Sequence, residues 1–350
     1  MLYAFGSNGS GQLGIGHQDD VSVPTRALFP PEMKPPESVR VAAGGNHTIV
    51  LSSSGQIHVT GENSNGRCGL DATTAMSDTC FNTGPICNGQ DSFKFCSATW
   101  EASTFVTQDN SVFTCGTGNR GELGQGHNKT MSLVPEAILD FPPPGTEVVD
   151  LSACMSHTVA VLSNGDVYGW GDGRKGQIGQ PAVQVWTPRK IHTIGFEAVR
   201  AVCGRQFTYI VGDLTKGKGV VLGSDKWSVI SAAPKSLPPW KDVGASWGSI
   251  FVLLDSGDVL AWGRNDHGQL PPPTLPMIDQ MAVGSEHVIV KTTGGKVLAW
   301  GWGEHGNCGS RTGDDGDVKD TWNEVPVPDE VVALGAGCAT SWVSKRSGHS

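Results

Sequence analysis

Short runs of alternating apolar and polar residues recur along the chain, and each of them ends at a glycine. DVYGWG ends in this way at Gly171, and KVLAWG ends in the same way at Gly301. Alternation with a period of two predicts a β-strand with one buried face. Runs that favour helix are nearly absent, so the pattern predicts an all-β protein.

These glycines mark a repeat of seven units, and we call them the anchor glycines. Upstream of most anchors lies a second predicted strand, and downstream comes a polar turn similar to G-Q-L-G. A unit of this size cannot bury both faces of its sheet alone, so the units must pack on one another. The anchors are separated by 55, 55, 55, 52, 40 and 38 residues and are Gly6, Gly61, Gly116, Gly171, Gly223, Gly263 and Gly301.

Units of this length predict a seven-bladed β-propeller, which closes its sheets radially and leaves no long exposed edge. An open β-solenoid is the alternative, but it needs shorter and more uniform rungs. Residues 330–343 supply two strands without an anchor strand, whereas residues 2–6 are an anchor strand without a preceding unit. We therefore expect one domain over residues 1–350, with its last blade closed by the N-terminal strand and a long insertion at 71–92.

The stretch GDGRKGQIG, from Gly171 to Gly179, has the G-x-G-x-x-G spacing of a dinucleotide-binding turn. Such a turn must open a helix whose N-terminus holds the phosphates. The residues that follow it, QIGQPAVQVWTPRK, contain two prolines and no helical period. Because the same spacing recurs from Gly116 and from Gly301, it indicates a repeated structural turn rather than a nucleotide site.

Composition narrows the possible functions. The formal net charge is −9 and Lys and Arg are scattered, whereas a nucleic-acid footprint needs clustered cations. The nine cysteines include no C-x-x-C pair, which predicts reduced, mostly buried thiols without a structural zinc. With no signal peptide and no long apolar run, we expect a soluble intracellular protein that contacts neither nucleic acid nor membrane directly.

Two units, GGNHTIVLSSSGQIHVTGENSNGRCG and SHTVAVLSNGDVYGWGDGRKGQIG, resemble the repeats of the regulator of chromosome condensation family of seven-bladed propellers. The resemblance covers essentially the whole chain and is weakest in the fifth unit, where GSDKWSVI lacks the G-Q-L-G turn. The opening YAFGSNGSGQLGIGHQDDVSVPTR is most similar to a fungal branch of the family. That resemblance implies a heterodimer with a small metal-binding CSL-type zinc-finger protein, which serves diphthamide synthesis and Elongator-dependent modification of tRNA wobble uridines. It also implies a cytoplasmic and nuclear location.

Three histidines stand fourteen residues before an anchor glycine: His47, His157 and His287. We expect each to tie its turn to backbone carbonyls of the neighbouring strand, because a buried imidazole needs partners. The other units carry different residues at this place, so no ring of histidines exists to hold a metal. By alignment on the anchors these residues are Ala102, Phe207, Ser249 and Ala339.

Two further motifs admit a functional interpretation that we disfavour. GASWG, around Ser246, matches the G-x-S-x-G nucleophile elbow but aligns with the turn AGGN of another unit. RTGDDGDVKDTW, residues 311–322, is acidic but lacks the order of an EF-hand calcium loop, so we expect a solvated connecting loop. We expect no catalytic residue, no cofactor and no metal ligand.

The tryptophans fall into two groups. Trp170, Trp262 and Trp300 immediately precede anchor glycines, so we expect them in the cores between blades. Trp100 and Trp247 lie instead in the turns equivalent to GGNH, which a propeller places on one face around its channel. Trp and Arg are frequent binding hot spots. The predicted partner-binding residues on this face are Trp100, Glu101, Arg205, Gln206, Trp247 and Glu286.

Three functions remain open at this point. A non-catalytic interaction protein is favoured, with the zinc-finger protein as partner and the Elongator complex as a further one. A guanine-nucleotide exchange factor for a Ran-type GTPase is the alternative, since the wider family includes exchange factors. A propeller enzyme with a metal in its channel is the third. Exchange needs carboxylates on the ring of residues that precede the histidine position, and that ring offers two: Asn46, Glu101, Ser156, Gln206, Gly248, Glu286 and Cys338.

Overall fold

The chain forms seven antiparallel sheets, of which five have four strands and two have three. The computed structural model describes residues 1–31, 36, 39–71, 79–192, 194–327 and 330–346. The predicted all-β seven-bladed propeller is confirmed. Within the described residues the single helical element is a 3-10 turn at Lys226–Ser228, and none is long and apolar enough to span a membrane.

The strands in chain order are β1 (Leu2–Gly6), β2 (Val21–Arg26), β3 (Val39–Ala43), β4 (His47–Ser52), β5 (Ile57–Gly61), β6 (Asn82–Thr83), β7 (Phe93–Ala98), β8 (Ala102–Thr107), β9 (Val112–Thr117), β10 (Met131–Ala137), β11 (Val148–Cys154), β12 (His157–Leu162), β13 (Val167–Gly171), β14 (Val185–Lys190), β15 (Ala198–Cys203), β16 (Phe207–Gly212), β17 (Gly219–Gly223), β18 (Trp240–Ala245), β19 (Ser249–Leu254), β20 (Val259–Gly263), β21 (Ile278–Val283), β22 (His287–Thr292), β23 (Val297–Trp302), β24 (Asp317–Val325), β25 (Val331–Ala336) and β26 (Thr340–Lys345).

We number the blades by their first strand. Blade 1 holds β3 to β6, blade 2 holds β7 to β10, blade 3 holds β11 to β14, and blade 4 holds β15 to β17. Blade 5 holds β18 to β20, blade 6 holds β21 to β24, and blade 7 joins β25 and β26 to β1 and β2. The first strands of successive blades contact one another all the way round, from β3 to β25 and back to β3. These seven strands therefore surround the central channel.

The N-terminal strand closes the ring as predicted. β1 pairs antiparallel with β26, in a register that runs from Leu2 opposite Ser344 to Gly6 opposite Thr340. The N-terminal ammonium extends this pairing by donating to the carbonyl of Lys345 at 2.8 Å. Blade 7 therefore combines the two ends of the described chain, and its core depends on both.

The anchor glycines are required by the backbone and not by a ligand. All seven have φ between 95° and 120°, a region that side-chain-bearing residues rarely adopt. A Cβ at any of them would lie 2.2 to 2.6 Å from a turn carbonyl of the same blade. The G-x-G-x-x-G spacing therefore reflects the geometry of the blade.

The tryptophans beside the anchors occupy the cores between blades, as predicted. Trp170 and Trp300 are fully buried and Trp262 is nearly so. Each indole N–H donates to a carbonyl of the preceding blade, and in Trp170 this acceptor is Glu122 at 3.0 Å. The corresponding bond of Trp300 reaches Gln269 at 2.9 Å. The buried indole N–H thus has a hydrogen-bond acceptor, and the indole ring packs between two blades.

Five blades carry a fourth, outer strand, which the sequence pattern did not reveal. β2, β10 and β14 each contain a proline, Pro24, Pro135 and Pro188, and their apolar residues do not alternate cleanly. Proline is tolerated in an edge strand because its missing N–H faces solvent. The acidic segment is likewise corrected, since its residues from Asp317 onwards belong to β24.

Part of the insertion at 71–92 lies outside the described residues, namely 72–78. In the remainder, β6 pairs with β5 at the outer edge of blade 1. Phe81 is fully buried and stacks on Phe29, with ring centroids 4.8 Å apart. Phe81 also lies edge-on to Trp342 of blade 7, so this segment fills the junction between two blades.

Candidate functional site

The turns between the first and second strands of the blades form a continuous ring at one end of the channel, which we call the mouth ring. Backbone hydrogen bonds join neighbouring turns: Trp100 N–H donates to Met155 at 2.7 Å, and Trp247 N–H donates to Ser285 at 2.9 Å. Such bonds fix the turns relative to one another, so the face is preorganised. The mouth ring comprises residues 44–46, 99–101, 155–156, 204–206, 246–248, 284–286 and 337–339.

Trp100 of blade 2 and Trp247 of blade 5 meet across the channel mouth. Their ring centroids are 6.0 Å apart, with the planes inclined by 51°. Trp100 is 37% exposed, and neither indole belongs to a core between blades. Below them lies a channel cavity of about 220 Å³ lined by the inner strands. The two side chains therefore cover one end of the channel and remain open to solvent.

Arg205 and Gln206 lie beside this pair. The exposed Arg205 guanidinium sits 5.7 Å from the Trp247 ring centre, within cation–π range. Gln206 is half-buried and its carbonyl accepts from Ser224 N–H at 2.9 Å. Glu101 on blade 2 has a partly exposed side chain, with its carboxylate 3.5 Å from the buried Arg67 guanidinium. Five of the six predicted residues thus lie on the solvent side of the mouth ring: Trp100, Glu101, Arg205, Gln206 and Trp247.

Glu286 differs from the other predicted residues because it is only 2% exposed. Its carboxylate accepts from Arg264 at 2.5 Å and from Gln269 at 2.7 Å. Burial raises the pKa of Glu286, and these two bonds oppose that shift. The side chain already has its partners, so it supports the mouth ring and is poorly placed for direct contact with another protein.

The alignment of blade 7 is corrected by one residue. Gly6 pairs with Thr340, just as Gly61 pairs with His47, so Thr340 and not Ala339 occupies the histidine position. The preceding residue is then Ala339 and not Cys338, and its carbonyl accepts from Ser7 N–H at 2.8 Å. The sequence did not reveal this shift, because the turn has no histidine to mark the position.

The three histidines are structural, but their partners differ from those expected. His47 Nε2 lies 2.9 Å from the Ser103 hydroxyl, and His287 Nε2 lies 2.8 Å from the Ser341 hydroxyl. Each partner is a side-chain hydroxyl of the next blade, and not the backbone carbonyl that the sequence predicted. Since Ser103 donates onward to the carbonyl of Arg67, the proton of the His47 imidazole resides on Nε2. Burial lowers the pKa of His47 to about 3, so this link between blades is neutral.

The remaining motifs find structural explanations. Ser246 is buried, and its hydroxyl accepts from Ser249 N–H at 3.0 Å within a strand–turn–strand, which is not a nucleophile elbow. Asp317 bonds His267 at 3.0 Å. Among the described residues no group of three His, Cys, Asp or Glu side chains is arranged to hold a metal ion. All nine cysteines are free, five of them buried, and burial raises the pKa of Cys68 to about 12.

Sequence reasoning missed three residues beside the mouth ring: Lys226, Trp227 and Arg264. Trp227 is 42% exposed, and the Arg264 guanidinium lies 5.1 Å from its ring centre. A signal for Lys226 and Trp227 is present in the sequence, because the fifth unit replaces its G-Q-L-G turn with GSDKWSVI.

The chain belongs to the family of the RCC1-like domain, whose model matches residues 1–343. It is 31% identical to an RCC1 repeat-containing protein of Schizosaccharomyces pombe over the whole of both chains. It is 29% identical to the secretion-regulating guanine nucleotide exchange factor of Bos taurus, over 77% of this chain and 61% of that protein. The crystal structure of Prp20p from Saccharomyces cerevisiae superposes with a TM-score of 0.82, covering 99% of this chain and 92% of Prp20p at 18% identity.

Proposed function

We propose that this propeller is a non-catalytic scaffold that forms a heterodimer with a small CSL-type zinc-finger protein through its mouth ring. The heterodimer would support diphthamide synthesis and Elongator-dependent modification of tRNA wobble uridines, in the cytoplasm and the nucleus. The resemblance of the N-terminal segment YAFGSNGSGQLG to the fungal alpha-tubulin suppressor, also called a killer-toxin-insensitivity protein, supports this partner.

The observation that carries the proposal is the contact between Trp100 and Trp247 at the channel mouth. The two aromatic side chains lie outside every blade core and are partly exposed at the channel mouth. Tryptophans of this kind dominate binding energy in protein interfaces. The backbone bonds of the mouth ring hold them in place before binding, which reduces the entropy lost on association.

Calorimetric titration of the purified zinc-finger protein into variants of this chain tests the proposal. We expect Trp100→Ala and Trp247→Ala each to weaken binding by about 2 kcal/mol or more, roughly thirtyfold, because each removes an aromatic anchor. The thermal midpoint should change little, since neither indole fills a core between blades.

Trp186→Ala is the matched control. Trp186 is also partly exposed, but it lies on the outer strand β14 and stacks against His127 with ring centroids 5.0 Å apart. This variant should bind like the wild type. Wild-type affinity in both mouth-ring variants, or an equal loss in the control, would contradict the assignment of the face.

Guanine-nucleotide exchange on a Ran-type GTPase is the second candidate. The similarity to an exchange factor of Bos taurus favours it. Against it, Glu101 is the single accessible carboxylate among the residues that precede the histidine position, because Glu286 is buried and bonded. Release of a labelled guanine nucleotide from a Ran-type GTPase decides the matter. Clear acceleration at micromolar protein would replace the scaffold proposal.

A further inference from the structure

The segment that follows β17 of blade 4, in the fifth unit of the sequence, forms a loop that exposes Trp227 beside the mouth ring. The Asp225 carboxylate accepts from Ile230 N–H at 2.7 Å and from Ser231 N–H at 3.0 Å, which closes the loop around it. Trp227 and Ser228 within the loop have φ of 66° and 58°. Residues with side chains rarely adopt a positive φ, so two of them in succession strain the backbone. The exposed position of Trp227 is therefore maintained at a cost in conformational free energy.

Trp227 faces Trp247 across a cavity of about 350 Å³ between blades 4 and 5, which we call the indole groove. A Cβ on Gly248 would lie 3.2 Å from Trp227 Cδ1 and 2.9 Å from Arg264 Cβ. The absence of a side chain at Gly248 therefore lets the loop approach the mouth ring. Arg205 and Gln206 line both this cavity and a neighbouring one of about 490 Å³, so the two are adjacent.

Two carboxylates that line the indole groove or the cavity next to it are already neutralised. Asp172 lies 2.8 Å from Arg174 and 3.5 Å from Arg120. Glu286 is held by Arg264 at 2.5 Å. Each of these acids has at least one guanidinium in contact, so none of them compensates the other cations of the groove.

Three exposed cations have no carboxylate within 4.0 Å among the residues that the structure describes: Arg205 and Lys226 in the indole groove, and Lys175 in the adjacent cavity. Arg205 lies over the Trp247 ring and Lys226 lies 5.2 Å from the centre of the Trp227 ring. The chain as a whole has a formal charge of −9. A locally positive groove with aromatic walls on an acidic protein is complementary to an acidic ligand.

We propose that the indole groove binds an acidic polypeptide segment, with carboxylates against Arg205 and Lys226 and one apolar side chain between Trp227 and Trp247. The inference deepens the proposed function, on which it rests for the partner that contributes the segment. A nucleic-acid backbone is disfavoured, because the chain as a whole carries a formal charge of −9 and a nucleic-acid footprint needs many clustered cations.

The probe is a fluorescein-labelled ten-residue peptide of glutamates around one central phenylalanine, and its matched control carries glutamine in place of every glutamate. Anisotropy titrations at about 50 mM and about 300 mM NaCl measure both peptides. We expect the glutamate peptide to bind at least about tenfold more tightly than the glutamine peptide, with an advantage that shrinks at high salt.

Arg205→Glu and Lys226→Glu should each weaken binding of the glutamate peptide about tenfold, since each reverses a charge at the groove. Lys216→Glu makes the same change of net charge in the hairpin at the opposite end of blade 4, and it should bind like the wild type. Equal binding of the two peptides, or unchanged binding in both groove variants, would overturn the inference. Tighter binding of a labelled ten-residue uridine RNA would overturn it as well.

The two proposals fail separately. If the zinc-finger protein binds and Trp100→Ala weakens it, while the glutamate peptide does not bind, the groove inference is wrong and the proposed function stands. If the peptide binds with the expected dependence on Arg205 and the zinc-finger protein does not bind, the groove stands and the identity of the partner is wrong.

Discussion

The closure of the ring by its first strand can be tested by replacing Phe5 with alanine. Phe5 is fully buried and packs in the core shared by blades 6 and 7, beside Trp300 and Val343. Burying an aromatic side chain removes about 150–250 Å² from water, worth about 4–6 kcal/mol at 25 cal/mol per Å². Measured Phe→Ala substitutions in cores cost about 3–5 kcal/mol, in agreement with this range.

The expected loss is therefore a large part of a total stability of about 5–15 kcal/mol. Urea unfolding followed by tryptophan fluorescence measures it. Val23→Ala is the control, because Val23 lies on β2 of the same blade and is 50% exposed, so it should cost less than about 0.5 kcal/mol. Deletion of Met1 to Gly14 should be more severe and yield insoluble protein, since it exposes the edge of β26.

A Phe5→Ala variant whose unfolding free energy lies within about 1 kcal/mol of the wild type would refute the reasoning. Such a result would mean that blade 7 folds from β25 and β26 alone, and that β1 adds an edge without contributing to the core. A soluble deletion variant with an unchanged thermal midpoint would lead to the same conclusion.

Three further predictions concern the links within and between blades. Ser103→Ala should cost about 1–3 kcal/mol in urea unfolding, because it leaves the His47 Nε2–H and the Arg67 carbonyl buried without their partner; a cost near zero would show that the link is dispensable. Gly171→Ala should prevent stable folding, since its Cβ would lie 2.3 Å from a carbonyl oxygen. Gly126 has a similar φ of 100° but faces open space, so the control variant Gly126→Ala should keep the fold with a smaller loss in thermal midpoint. Burial lowers the pKa of His157 to about 4 from an ordinary 6.5, so the unfolded chain binds more protons below pH 6.5. Unfolding free energy should then fall between pH 6.5 and 5 by up to about 1.4 kcal/mol per pH unit for each such histidine, and a flat profile in urea titrations would contradict this.

The sequence was informative about the blade because the blade repeats. The anchor glycines could be found without a structure, since each satisfies the same steric demand at a positive φ and the same demand recurs seven times. Trp170 and Trp300 could be assigned to the cores by their place in that repeat. The prolines of the outer strands obscured the fourth strand, because an edge strand has neither a buried face to alternate nor a full set of hydrogen bonds.

The sequence predicted where the mouth ring lies, but it did not predict which of its side chains are exposed. Glu286 looked equivalent to Glu101, yet it is buried because Arg264 and Gln269 of the preceding blade reach its carboxylate. Trp227 was overlooked because the loop that displays it departs from the repeat.

What the sequence by itself determined is therefore the repeated unit, its seven copies and the strand that closes the ring. These features can be recognised from the alternation of apolar and polar residues and from the steric demand for glycine at the anchors. Both act within a few residues and recur at equivalent positions of each unit. Only the tertiary structure decided which turn side chains meet and which remain exposed. Trp100 and Trp247 come from blades on opposite sides of the channel, and their contact depends on how far the closed ring brings those blades together. That distance is set by the packing of all seven blades at once, and no local segment of the chain encodes it.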